Sequence, residues 1–184
     1  MKIAGASGKL RFVKLKNIFV LSLGVIFIAG CGKKEIPPAP PAKNSYPLPA
    51  HAQPKLPTMK IYLGAETLDT ELALTSEEEE TGMMFRTNIQ ETDSMLFVLP
   101  VPMAASFWMT NCPESLSAAY ISPDGVIEEI HHLEKNDNVP VVATNSNILF
   151  VLETKDGWFT RHNINPGTVI RTERGSLAET FLRR

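Results

Sequence analysis

Arg86, Trp108, Asn111 and Cys112 are the side chains in this sequence whose chemistry reaches beyond packing. Arg86 closes the apolar run Gly82-Met-Met-Phe85. A guanidinium there must leave the core or meet an acceptor, and its planar fork suits a carboxylate or phosphate. Glu78, Asp93 or a backbone carbonyl would serve as a purely structural partner. Trp108 with the amide of Asn111 offers a ring face beside a hydrogen-bonding group, which suits stacking on a sugar or peptide side chain. The same two residues also suit a core aromatic and a turn cap. Arg86, Trp108 and Asn111 are therefore the candidate ligand-binding residues. Cys112 becomes a catalytic candidate only if a histidine reaches it; otherwise an unpaired cysteine packs as a small apolar group. His131 and His132 are adjacent, so on a strand they point to opposite faces, and His162 stands alone. No Cys and His spacing suits zinc. There is no Gly-x-Ser-x-Gly elbow, no Ser-x-x-Lys and no Gly-rich phosphate loop. No metal and no cofactor is expected.

Cys31 carries a different chemistry, set by what precedes it. Lys2, Lys9, Arg11, Lys14 and Lys16 lead into the apolar run from Ile18 to Gly30, and the first thirty residues hold no acid. A basic start, a short apolar run and small residues before the cut describe a secretory signal. The run has thirteen residues, short of the roughly 20 that a spanning helix needs. Ile28-Ala29-Gly30-Cys31 resembles the lipobox of bacterial lipoproteins, whose thiol takes acyl chains of the palmitate type and becomes the mature N-terminus. Two such chains anchor stably. Gly32, rather than Asp, follows the cysteine, which favours the outer membrane where a cell has two. The expected location is the cell envelope, exported and lipid-anchored through Cys31.

Removal of residues 1–30 takes away five Lys and Arg and no acid, leaving 13 basic against 20 acidic residues, a formal charge of −7. An acidic chain repels phosphate backbones, so nucleic acid is not an expected partner. With Cys31 acylated, Cys112 is the remaining thiol of the two, and the exported fold must stand without an internal disulfide.

These residues need elements to hold them. Eight of the 14 prolines lie between Pro37 and Pro57, so residues 31–58 read as an extended, Pro-rich tether. From Met59 the pattern turns to alternating strands. Met59–Leu63 and the stretch carrying Leu68, Leu72 and Leu74 read as a hairpin about Gly64. Ser76 and Glu79 predict a capping box opening a helix to about Met84, with Glu77 to Glu80 on a solvated face. Strands are expected at Met95–Leu99, ended by Pro100, at Ser106–Thr110, and at 118–122 and 126–130 about the turn Pro123-Asp-Gly125. An edge strand at Val139–Val142, a strong strand at Ile148–Leu152, a helical turn within 156–162 and a closing strand at Thr168–Arg171 follow. The expected domains are a leader at 1–30, a tether at 31–58, a β domain at 59–173 and a tail at 174–184, helical or frayed. The fold expected is mostly β: a compact antiparallel sandwich or small barrel with one or two short helices.

The segments Gly82-Met-Met-Phe-Arg86, Ser94-Met-Leu-Phe-Val98, Phe107-Trp-Met-Thr-Asn111 and Asp124-Gly125 together resemble the domain of unknown function 192. That family typically reads Gly-Leu-Met-Phe-Arg, Gly-Met-Leu-Phe and Phe-Trp-Met-Lys-Asn-Thr. The resemblance implies a compact, mostly antiparallel β fold, often exported or membrane-attached, and no established biochemistry. The chain departs from the pattern at Thr110 in place of Lys, at Cys112 in place of Thr, and at Ser117 in place of Asp. The loss of a base and an acid favours binding over inherited catalysis. The expectation is an envelope lipoprotein whose β domain binds an envelope component or partner protein. The alternative is a hydrolase or thiol-dependent enzyme using Cys112 with a nearby His.

Overall fold

The computed structural model describes residues 48–182. The expected leader, Cys31 and most of the tether lie outside the described residues. Among the described residues the elements are β1 (Thr58–Leu63), β2 (Glu66–Ala73), α1 (Ser76–Thr81), β3 (Ser94–Met103), β4 (Ser106–Phe107), β5 (Leu116–Ile121), β6 (Ile127–Leu133), β7 (Val141–Val142), β8 (Ile148–Lys155), α2 (Trp158–Arg161), β9 (Ile170–Thr172), β10 (Gly175–Ser176) and α3 (Leu177–Phe181). No helix among them is long and apolar enough to cross a membrane.

Eight strands form one curled sheet, a half-barrel, in the order β10-β9-β1-β2-β3-β8-β5-β6. β4 and β7 pair separately. The expected mostly β fold is what forms, and its neighbouring strands are antiparallel with one exception. β2 and β3 run parallel. Parallel neighbours need a crossover rather than a tight turn, and α1 lies in that connection.

The central strands are buried on both faces, which is why their sequences are mostly apolar, with Ser94, Ser117, Glu153 and Thr154 as buried exceptions. In β5, Leu116, Ala118 and Tyr120 enter one core and Ala119 and Ile121 the other. In β3, Met95 and Phe97 lie on one side and Leu96 on the other. In β8, Val151 faces the first core and Phe150 and Leu152 the second.

Several boundaries differ from expectation for local reasons. The helix is capped by Thr75 with Glu78, one residue earlier than the Ser76–Glu79 pair, and it ends at Thr81. The extended backbone of Thr75 (φ −116°, ψ 154°) lets its hydroxyl accept from the Glu78 N–H. β2 ends at Ala73, so Leu74 is exposed rather than inward. β3 runs past Pro100. The prolines sit where its register against β8 shifts between Val98 and Met103, so no ladder bond is lost. Near Trp108 the ladder stops after Phe107. The tail after Thr172 is ordered: α3 has a Ser176–Glu179 capping box and a buried Leu177. The end of the expected tether is docked, since Gln53 Nε2 donates to the Gly82 carbonyl at 2.9 Å and the Leu72 N–H to that of Pro57 at 3.0 Å.

Candidate functional site

Cross-strand register sets up the site. Glu71 on β2 lies opposite Met95 on β3, Met95 opposite Glu153 on β8, and Glu153 opposite Ala118 on β5. Side chains directly opposite share a face, so two glutamates flank Met95 on one core face. Both are almost fully buried, Glu71 at 6% and Glu153 at 4% exposure. A buried carboxylate needs a partner, and the sequence provides one for two.

Arg86 takes Glu71. Its Nη1 and Nη2 donate to Oε1 at 2.6 Å and Oε2 at 2.9 Å, a bidentate fork. The Leu56 N–H adds a bond to Oε2 at 2.7 Å. Burial pushes the Glu71 carboxyl up, but these bonds and the guanidinium charge outweigh it and hold it below its ordinary value. The hydrogen bond to Glu71 likewise raises Arg86. Arg86 is brought there by the turn after α1. Gly82 has φ 47°, and a Cβ on it would stand 3.3 Å from the Phe97 ring. Phe85 follows at φ 61°, its N–H donating to the Asn111 carbonyl at 2.7 Å.

Glu153 has no such partner. Its carboxyl makes no hydrogen bond to any described residue, and Arg86 reaches it only as a charge through space. Burial dominates, and the group is pushed from 4.5 to about 8. At neutral pH it is a carboxylic acid.

The carboxyl lines a cleft of about 210 Å³. Met83, Met84, Phe97 and Leu99 supply apolar wall, Phe107 and Trp108 the aromatic side, and Glu79, Glu80 and Thr81 the α1 side. Trp108 is 52% exposed. Phe107 is held edge-on by Phe97, with ring centroids 5.0 Å apart. Cys112 also lines the cleft, yet it is 6% exposed, and burial followed by the Glu153 charge raises its thiol to about 12. A larger groove of about 570 Å³ runs between Pro49–Pro54 and α1, and no buried carboxyl opens into it.

The structure thus brings Trp108 and Cys112 into one cleft, sets Arg86 behind it and leaves Asn111 outside. Asn111 is a left-handed turn residue at φ 60° that anchors Phe85 through its carbonyl. The partner of Arg86 is Glu71, not Glu78 or Asp93. No histidine lines the cleft. His131 bonds Glu129 at 2.8 Å, His132 sits between Asp156 at 2.8 Å and Glu134 at 3.2 Å, and His162 stacks on Trp158 near Glu66 and Glu91. The Asp156 and Glu134 hydrogen bonds raise His132 above its ordinary value. Among the described residues no cluster of His, Cys, Asp and Glu is placed to hold a metal. Sequence reasoning missed Glu153. Its signal was there: Glu153 directly follows the apolar run Ile148–Leu152 and lies two residues after Val151, which puts a lone carboxyl on an inward face of a strand buried on both sides.

Comparison with known proteins adds fold and family. A crystal structure of a protein of unknown function from Novosphingobium aromaticivorans is 30% identical, with a TM-score of 0.60, covering 63% of this chain and 86% of that one. A Sinorhizobium meliloti protein proposed to be a transcription regulator superimposes with a TM-score of 0.62 at 24% identity, covering 66% of this chain and 98% of its own; that likeness speaks for the fold alone. No curated protein matches the chain. The profile of domain of unknown function 192, described as an uncharacterized ACR, matches residues 59–172. From β1 to β9, then, the chain belongs to the family of domain of unknown function 192.

Proposed function

We propose that this chain is an exported envelope lipoprotein, lipid-anchored at Cys31, whose β domain binds an envelope component or partner protein in the cleft beside Trp108. One observation carries the binding reading: Glu153, almost fully buried as a residue and with no hydrogen-bond partner among the described residues, opens its carboxyl into a cleft lined by an exposed tryptophan. Burying an ionisable group this way costs stability, and groups perturbed by burial in a cleft concentrate at functional sites. The anchoring reading rests on the leader and the Ala29-Gly30-Cys31 junction. The enzymatic alternative has less support, because a thiol held near 12 is not a nucleophile at neutral pH and no histidine lines the cleft beside it.

Two measurements test the halves separately. Labelled palmitate should enter the native chain and not a Cys31→Ser variant; equal labelling refutes the anchor. Immobilised full-length protein should retain a lipid, glycan or protein fraction of the envelope, and Trp108→Ala should release it. Retention that Trp108→Ala leaves intact refutes the cleft as the binding site.

A further inference from the structure

We propose that the cleft receives an alkylammonium group, with its charge met by Glu153 and its methylenes held against Phe107 and Trp108. This rests on the reading that the cleft is a ligand site, and it names the ligand chemistry.

Charge points to a cation. Glu79, Glu80 and Glu153 line the cleft, and no Lys, Arg or His does. The nearest guanidinium, Arg86, is already engaged at both nitrogens by Glu71. Glu79 is raised by burial and then by the charges of Glu78 and Glu80, so an incoming positive charge relieves an existing repulsion. The walls point to an organic cation. Tryptophan and phenylalanine faces attract ammonium groups through their quadrupoles, most strongly where water is excluded. The three carboxylates do not form a metal-holding cluster. The volume of about 210 Å³ is below the roughly 300–1,000 Å³ of drug-sized sites, so it suits one amine-bearing arm.

The proton balance is simple. Unliganded Glu153 carries a proton at neutral pH. An ammonium at hydrogen-bond distance favours the carboxylate, so the proton leaves to solvent and no covalent bond changes. Arg86, Cys112 and Tyr120 lie close enough to feel the charge of this carboxyl, and Glu79 and Glu80 line the cleft with it. Cys112 and Tyr120 are both raised and stay neutral, while Glu71 and Arg86 stay ionised as a pair. Glu79 in the cleft is raised as well, and the Glu153→Gln variant assigns the released proton to Glu153.

The test is calorimetric titration of the full-length protein in buffers of different ionisation enthalpy. The probes are n-pentylamine and a Gly-Lys-Gly peptide; the controls are 1-pentanol and the Nε-acetylated peptide. The amines should bind about tenfold tighter than their neutral counterparts. Binding at pH 7 should release close to one proton per site, and affinity should rise about tenfold from pH 6 to 7 and flatten above pH 8. Glu153→Gln should lose that pH dependence. Pentylamine binding alone assigns a free amine, and peptide binding alone assigns a lysine side chain. Equal binding of the neutral controls, no amine binding, or an unchanged Glu153→Gln profile overturns the inference. Envelope retention that depends on Trp108 would then leave the broader reading standing.

Discussion

Glu153→Gln should stabilise the protein, and the gain should grow with pH. The native carboxyl is pushed from 4.5 to about 8 by burial. Between those values the unfolded chain is ionised at Glu153 while the folded chain holds the proton. The unfolded state binds fewer protons, so stability falls as pH rises. Stability present below about 4.5 is withdrawn across the interval and is gone above about 8. At about 1.4 kcal/mol per pH unit, the loss reaches about 3 kcal/mol at pH 7 and about 5 kcal/mol above pH 8. Glutamine keeps the shape and removes the ionisation. The Glu71–Arg86 pair titrates with the opposite sign, because Glu71 is held low, but both proteins share it and it cancels in the difference. Urea unfolding at pH 5 should give nearly equal midpoints for the two proteins, and at pH 8 the variant's midpoint should lie about 2 M higher. Parallel stability curves from pH 5 to 8 would mean that Glu153 is solvated or paired in the folded state, and the reasoning would fail.

Other perturbations probe the neighbouring parts. Arg86→Ala strips a buried carboxylate of its fork and should cost about 3–5 kcal/mol in urea unfolding; a loss under 1 kcal/mol would show that water replaces the guanidinium. Cys112 should resist alkylation at pH 8 in the native state and react once unfolded, since its thiol is buried and raised to about 12; native labelling at the rate of free cysteine contradicts the burial. Thr75→Ala should cost about 1 kcal/mol through the lost cap while Ser76→Ala stays near neutral, and the reverse order would move the cap to Ser76.

Strands were legible wherever the pattern was local. The β1–β2 hairpin, the Asp124–Gly125 turn and β8 follow from alternation, turn chemistry and an apolar run. α1 was legible to within a residue, because Thr75-Ser76 followed by four glutamates offers two overlapping capping boxes and only the backbone angles choose between them. Cys112 was legible as a buried small group. Trp108 was not legible as exposed, since the end of the β4 ladder at Phe107 depends on pairing with β7, more than thirty residues away. The partner of Arg86 was hidden for a similar reason. Glu71 comes near only through the parallel β2–β3 pairing, which no local signal announces. Glu153 was visible as a pattern violation, and its lack of a partner follows only from seeing Arg86 already taken.

β8 lies between β3 and β5, yet it is the last long strand in the chain. Until synthesis passes residue 155, two apolar strands each lack their neighbour on that side, and the floor of the cleft does not exist. The site residues 71, 86, 112 and 153 are gathered by closing long loops, which slows folding. A ribosome-bound fragment ending before Ile148 should therefore present sticky, unpaired edges rather than a smaller folded unit, and the domain comes together as a late, all-at-once event once its keystone arrives.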